Sequence, residues 1–249
     1  MNQFNSPAAQ GAQTDMGLRT FMMGTYRHMV LAMIVSTAVA WGFGNYLLIN
    51  VPFEPTSGLS SLGLTLRSPM AALGLTMGII FGFGIVGRKL NTMSLSSVKV
   101  CLFGFAAIMG VWLSSIAVFV NPMIAAKIFF MTTAAFAGVS LMGYVTKKDL
   151  GTFVKFCFMA FFGFIAINLL GMFIPSLALT GMADTVMSVV GLLAICGITA
   201  WETQTLKRTY YATVGNAEMA EKYSVFGAAS LLLSFINIFS ILLSLFGNE

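Results

Sequence analysis

Seven long apolar runs dominate the sequence and decide what it can fold into. They cover approximately residues 29–49, 68–86, 98–120, 128–145, 153–174, 185–201 and 224–246. Each is close to the roughly 20 residues that an α-helix needs to cross the hydrocarbon core of a bilayer. Lipid cannot satisfy the backbone of an open sheet, so such segments form helices. The alternating ten-residue strands of a transmembrane barrel are not seen in the sequence. We therefore expect an all-α, polytopic membrane protein with seven transmembrane helices.

Little of the chain remains outside these runs. Only 8% of the residues are charged, compared with roughly 25% in a typical soluble domain. The longest remaining pieces are residues 1–20, 50–67 and 202–223. The first is rich in Gln, Asn, Ala and Gly and is predicted to be a disordered polar N-terminal tail. Residues 21–249 then form the transmembrane domain, in which the first run is too long for a signal-peptide core and is expected to be retained. No separate catalytic or nucleic-acid-binding domain fits in the remaining pieces.

The basic residues are distributed unequally between the two sides of the predicted bundle. Only Arg67 and Lys127, of the thirteen Lys and Arg residues, fall on the side opposite the N-terminus. The other eleven flank the same side: Arg19, Arg27, Arg88, Lys89, Lys99, Lys147, Lys148, Lys155, Lys207, Arg208 and Lys222. By the positive-inside rule the N-terminus is cytoplasmic, and with seven spans the C-terminus lies outside. The net charge of +5 thus reflects membrane topology and not affinity for nucleic acid.

The sequence offers little for cofactor or enzyme chemistry. It contains one histidine, His28, which cannot by itself complete a bis-histidine haem site or a zinc site. No second histidine is present to activate a serine inside the membrane. The three cysteines lie within apolar runs, and an odd number of buried thiols argues against a disulfide framework. We therefore expect no enzymatic activity and no bound cofactor.

Glu202 is the carboxylate that lies beside hydrocarbon, at the end of the sixth run. An ionisable group at membrane depth is costly and is a functional-site hypothesis by default. None of the side chains three or four positions away is basic; these are Ile198, Thr199, Thr205 and Leu206. Glu202 therefore either reaches the cytoplasmic interface or points inward to a partner on another helix, with Arg88 or Lys89 as candidates. Burial favours the neutral acid and a nearby arginine favours the carboxylate, so Glu202 could switch between ion-paired and free states near physiological pH.

Small and weakly polar residues form one face of the seventh run. They recur every three or four positions: Gly227, Ser230, Ser234, Asn237, Ser240 and Ser244. One interpretation is close helix packing, with hydroxyls and an amide bonded to neighbouring helices. The other is a face that lines a water-accessible path for a small solute or ion. Both interpretations place this helix inside the bundle.

Three motifs resemble the Bax inhibitor-1 family, also called the transmembrane Bax inhibitor motif family. Met142-Gly-Tyr-Val-Thr-Lys-Lys-Asp-Leu150 is similar to a hallmark turn of that family. Thr199-Ala-Trp-Glu-Thr-Gln204 resembles its Thr-Ala-Tyr-Asp-Thr-Gln signature, and Ser234-Phe-Ile-Asn-Ile-Phe239 resembles its Asp-Phe-Ile-Asn-Leu-Phe run. The resemblance extends over roughly residues 18–247 and is that of a bacterial member.

The resemblance implies a fold in which six helices surround a central seventh helix. Members of the family are described as pH-sensitive calcium leak channels. Two aspartates, one on the sixth and one on the seventh helix, share a proton and gate the pore near its cytoplasmic side. An arginine on the second helix can pair with the acid on the sixth. Some bacterial members also bind a membrane-anchored AAA protease, and eukaryotic members suppress cell death.

Carried over to this sequence, the sixth-helix acid is Glu202 and the seventh-helix acid falls on Ser234, which is not an acid. Arg88 lies near the position of the arginine, displaced by about half a turn, and Asn237 belongs to the same polar face as Ser234. The expected function is a pH-modulated cation (calcium) leak channel in the bacterial inner membrane, in which Glu202 titrates and could also contact calcium. A lone acid offers few of the six to eight oxygen ligands that calcium prefers.

Two other functions are compatible with the sequence. The chain could be an interaction protein that modulates a membrane-anchored AAA protease or another membrane complex, with the polar tail as its recognition element. A small-solute transporter is the third interpretation. Transporters of that kind use broken helices at the bilayer midplane, yet no run contains an interior proline.

Overall fold

The structure is a computed structural model that describes residues 7–48, 60–66, 68–117 and 120–247. Within these ranges the regular structure is helical throughout. The eight α-helices are α1 (Pro7–Phe43), α2 (Ser61–Leu66), α3 (Pro69–Lys89), α4 (Leu95–Ala117), α5 (Pro122–Val145), α6 (Gly151–Phe173), α7 (Met182–Ala212) and α8 (Ala217–Phe246). A π-helical turn (Gly44–Leu48) continues α1, and a 3₁₀ turn (Pro175–Leu177) follows α6. Seven of the helices, all but α2, are long and apolar enough to span a membrane. The predicted all-α, seven-span architecture is confirmed.

The ends of the helices differ most from the prediction at α7 and α1. The helix α7 continues to Ala212, well past the predicted end of its apolar run at residue 201. Hydropathy identifies only the part of a helix that lies in lipid. The helix itself can continue into water, because its backbone hydrogen bonds do not require apolar side chains. At the other end of the chain, α1 begins at Pro7, inside the stretch predicted to be a disordered tail. That stretch contains alanine and glutamine, which are good helix formers.

The last helix, α8, is the most deeply buried of the seven spans. In its most apolar window 61% of the residues are buried, compared with 39% in α7 and none in α3. Its main neighbours are α1, α4, α5 and α7, whereas α6 packs chiefly on α7, and α3 on α4 and α6. The interior position that the polar face implied for this helix is therefore found, with four of the six other spans as its main partners.

Close backbone contact between α5 and α7 depends on one glycine. Gly143 is buried near the end of α5, and a methyl group at this position would overlap the carbonyl group of Ala200 on α7. Small residues at such crossings allow membrane helices to approach closely and gain van der Waals contact. Because Ala200 lies two residues before Glu202, this crossing helps to fix the position of the acid.

We expect Gly143→Ala to lower the free energy of unfolding by about 1–3 kcal/mol, the usual cost of inserting a methyl group into a packed core. The matched control is Gly138→Ala on the same helix, because nothing lies within 4 Å of a methyl group placed there. That control is expected to be neutral or to stabilise the helix by up to about 1 kcal/mol. Thermal denaturation of the two variants in detergent measures the difference, and equal midpoints would contradict the close contact.

Candidate ion-pathway site

Two antiparallel helices position the acid that the sequence singles out. The helices α7 and α8 are joined by a short turn at residues 213–216 and pack along their length. Glu202 lies ten residues before the end of α7, which is about 15 Å of helix at 1.5 Å per residue. Ser230 and Ser234 are one turn apart on α8 and therefore share a face. The antiparallel arrangement brings that face opposite Glu202.

Each oxygen of the Glu202 carboxylate accepts a hydrogen bond from a serine of α8. Ser230 Oγ donates to Oε1, and Ser234 Oγ donates to Oε2 at 2.6 Å. Hydrogen bonds to an ionised acceptor are shorter and stronger than neutral ones. They offset part of the cost of removing a carboxylate from water. Of the two positions considered for Glu202 from the sequence, the inward one is found.

A basic partner for Glu202 is not found among the residues that the structure describes. The ion pairs there join Lys99 to Glu221, Arg208 to Asp149 and Lys222 to Glu218. Arg88 and Lys89, proposed from the sequence as partners, are exposed at the end of α3. The helix α3 packs mainly on α4 and α6, which explains why its end is not directed at the acid. Serine hydroxyls take the place that an arginine was expected to fill.

The polar face of α8 divides into parts with different roles. Ser230 and Ser234 bind Glu202, whereas Gly227 allows α8 to pack against the side chain of Leu206. Asn237 is partly buried and makes no side-chain hydrogen bond with any described residue. Ser240 bonds to the carbonyl of its own helix. The sequence identified Ser234 but not Ser230 as a site residue, although their four-residue spacing was the signal that could have found both.

A chain of hydroxyl groups joins α1, α5 and α7. Tyr26 Oη is 2.5 Å from Ser140 Oγ, which is 2.9 Å from Thr203 Oγ1. Thr203 follows Glu202 in α7, but its side chain points to a different side of the helix. A second contact, Thr25 Oγ1 to Ser224 Oγ at 3.0 Å, joins α1 to α8. These hydrogen bonds and those of Glu202 are referred to below as the polar layer, which links α1, α5, α7 and α8.

The connection between α5 and α6 is fastened to α7 by Gln204. Its Oε1 accepts from the Leu150 amide at 3.0 Å, and its Nε2 donates to the carbonyls of Thr146 and Lys148 at 3.2 and 2.8 Å. One buried amide side chain therefore satisfies three backbone groups of a tight connection. This is a structural reason for the Gln at the end of the Thr199–Gln204 motif, which sequence reasoning did not supply.

Asp149 also ties the α5–α6 connection to α7. Its carboxylate accepts from the Gly151 amide at the start of α6 and pairs with Arg208 of α7 at 2.9 Å. The Gly151 hydrogen bond, followed by the Arg208 guanidinium, lowers the pKa of Asp149 from its ordinary value of 3.8. Asp149 is exposed and outside the apolar runs, so the pair orients the connection more than it stabilises the protein.

Glu202 and its two serines are a poor resident site for a metal ion. They supply four oxygen atoms, fewer than the six to eight that calcium prefers. No cluster of three or more His, Cys, Asp or Glu side chains occurs in the described part of the chain.

Comparison with known proteins covers almost the whole chain. A family model described as "Inhibitor of apoptosis-promoting Bax1" matches residues 18–249. An uncharacterised protein of Caulobacter vibrioides is 33% identical, with 100% of this chain and 99% of the relative aligned. An uncharacterised protein of Rickettsia prowazekii is 30% identical over 94% of this chain and 92% of the relative. The inner membrane protein YbhL of Escherichia coli is 28% identical over 95% of each chain.

We expect Asp149→Asn to speed amide hydrogen exchange in residues 146–151 at neutral pH, because both partners of the carboxylate lose a charged acceptor. A folded pKa below 3.8 means that the contribution of Asp149 is complete above that pH and is lost as the pH falls through the lowered value. The difference between variant and wild type should therefore vanish in strong acid. Asp184→Asn, at the start of α7, is the control. Equal exchange at neutral pH would contradict the role assigned to Asp149.

Proposed function

The chain belongs to the Bax inhibitor-1 family of multi-pass membrane proteins, and from this starting point we propose that it forms a pH-modulated cation leak pathway with calcium as a permeant ion. The observation that carries the proposal is the Glu202 carboxylate, held inside the bundle between α7 and α8 by two serine hydroxyls. An acid at membrane depth that has polar but no basic partners is expensive to keep, and such residues mark ion pathways and proton relays.

The chemistry of the site suits a cation. A carboxylate and neighbouring hydroxyls present oxygen atoms, the ligands that hard cations such as calcium accept. The site would bind a cation only weakly. Weak binding suits conduction, because an ion must be able to leave the site as well as enter it. The family resemblance supports the proposal, because Glu202 occupies the position of the sixth-helix acid in the motif that it shares with such channels.

The pH response follows from how the carboxylate joins the two helices. As an anion, Glu202 accepts from both serines and links α7 to two successive turns of α8. Protonation removes the charge that strengthens these bonds and converts one oxygen into a donor. We infer that the link holds the pathway closed and that acidification loosens it. Flux then rises as the pH falls.

Other titratable groups near this layer need to be separated from Glu202. Tyr26 of α1 lies in the hydroxyl chain, and Lys207 of α7 faces Tyr144 of α5. His28 of α1 is buried and bonded through Nδ1 to the Gly24 carbonyl. His28 is therefore the side chain to replace as a control in any measurement of pH dependence.

In liposomes loaded with a calcium indicator, we expect Glu202→Gln to raise flux at pH 8 and to abolish the pH dependence between pH 6 and 8. Loss of a charge-assisted hydrogen bond is worth about 1.5–3 kcal/mol, so the rise is on the order of 10- to 100-fold. Asp184→Asn removes a carboxylate from the same helix, and His28→Gln removes the imidazole; both should keep the wild-type response. A Glu202→Gln protein with unchanged flux and unchanged pH response would refute the mechanism.

Ser234→Asp puts a second acid on the residue whose Oγ lies 2.6 Å from Glu202 Oε2, and so recreates the family's paired arrangement. Two carboxylates in contact share a proton and titrate as a coupled pair. We expect a steeper dependence of calcium flux on pH than in the wild type. Ser240→Asp, which adds an acid farther along α8, is the control and should not steepen the response.

A further inference from the structure

A large cavity lies between α1, α5 and α8 on the side of the bundle opposite the N-terminus of α1. Its volume is about 1000 Å³. The wall on α1 extends from Asn45 to Met33, twelve residues along one helical face, or about 18 Å at 1.5 Å per residue. Asn121, which begins α5, lies at the same end as Asn45. The cavity therefore extends from the membrane interface into the interior of the bundle.

The wall of this cavity contains a hydroxyl that needs a partner. Ser36 lines the cavity and is only 2% exposed, and its Oγ is the one buried side-chain polar atom in the described residues that lacks a hydrogen bond. Buried polar groups in proteins almost always have a partner, from the protein or from water. Thr37 and the two asparagines add polar groups to the same wall. The cavity is large enough to admit water, and its few polar side chains lie along the α1 wall and at the outer end.

A second cavity provides the contrast. It lies between α3, α4 and α8 and has a volume of about 600 Å³. Its lining is made of aliphatic, aromatic and glycine residues, with Cys101 as the nearest to a polar side chain. Such a space suits hydrocarbon and not an ion. The polar lining is thus specific to the cavity beside Ser36.

The inner end of the large cavity reaches the neighbourhood of Glu202. Phe235 lines the cavity and directly follows Ser234, the residue that binds the carboxylate. It is buried, and its ring packs against Phe129 and Phe136 of α5, each at a centroid distance of 5.6 Å. Phe136 lies one turn of α5 before Ser140, which belongs to the hydroxyl chain. An aromatic layer therefore separates the cavity from the polar layer.

We propose that this cavity is the outer vestibule of the cation pathway and that Phe235, with Phe129 and Phe136, is the barrier that closes it. The proposal rests on the function proposed above and adds the route and its closing element. A constriction lined only by apolar rings excludes water and so excludes ions. Below the barrier, the Glu202 link between α7 and α8 sets the position of the helix that carries Phe235. Loosening the link moves the ring and lets water join the vestibule to the acid.

Accessibility of introduced cysteines tests the vestibule without any measurement of flux. In a background where Cys101, Cys157 and Cys196 are alanine, we expect Thr37→Cys and Asn45→Cys, at two wall positions whose side chains are exposed or partly exposed, to react with a charged, membrane-impermeant methanethiosulfonate added on the side opposite the N-terminus. Ala32→Cys is the control, because Ala32 lies one turn deeper on α1, is fully buried and does not line the cavity. Unreactive cysteines at both wall positions would overturn the vestibule, even if the wild type conducts calcium.

Calcium flux in liposomes tests the barrier. We expect Phe235→Ala to raise flux at pH 8 by at least several-fold, and the milder Phe235→Leu, which better preserves folding, to raise it less. Phe130→Ala is the control, since Phe130 also lines the cavity but is 72% exposed on the outer surface of α5. Monodisperse elution establishes that each variant is folded.

The outcomes separate the two proposals. Reactive wall cysteines together with unchanged flux in both Phe235 variants overturn the barrier but leave the leak function standing. Conduction by the wild type without labelling of the wall overturns the vestibule alone. Absence of calcium flux from every variant refutes the leak function, and the pathway with it. Reactive cysteines and increased flux through Phe235→Ala support the whole route.

Discussion

A carboxylate inside a membrane bundle must be given partners, and the contact of Glu202 with Ser230 and Ser234 is the interaction around which the structure is arranged. It requires α7 and α8 to lie side by side in a fixed register, with one face of α8 turned to α7. The two serine hydroxyls offset part of the cost of burying the acid. The hydroxyls of Tyr26, Ser140 and Thr203 form a separate set of hydrogen bonds that joins α1, α5 and α7.

The helices α5 and α8 lead from this polar layer to aromatic residues and then to the large cavity. On α8, Phe235 follows Ser234, and Phe239 lies one turn farther along the side that lines the cavity. On α5 the order is Ser140, Phe136 and Phe129. Because the Phe235 ring packs against Phe129 and Phe136, the aromatic residues of the two helices lie side by side. Layers of opposite polarity are what a closed, gated path would need.

The all-α fold with seven transmembrane helices could be predicted from hydropathy. Lipid allows only a few kinds of backbone structure, and the lengths of the apolar runs give the number of transmembrane helices. Glu202 and Ser234 were also recognisable, one from its cost at membrane depth and the other from the motif it begins. The partners of Glu202 could not be recognised in the same way, because they depend on how the helices pack against one another. In the packed structure Arg88 is exposed. Gln204 and Ser36 became visible only with their neighbours in place. The membrane orientation and the interaction with an AAA protease stay predictions.

The fastening of the α5–α6 connection by Gln204 has a mechanical consequence. Three backbone groups of residues 146–150 are bonded to a side chain only two positions from Glu202. Because Gln204 and Glu202 lie two residues apart on one helix, these bonds fix the α5–α6 connection relative to the carboxylate. We expect any displacement of that surface turn to move the carboxylate with it.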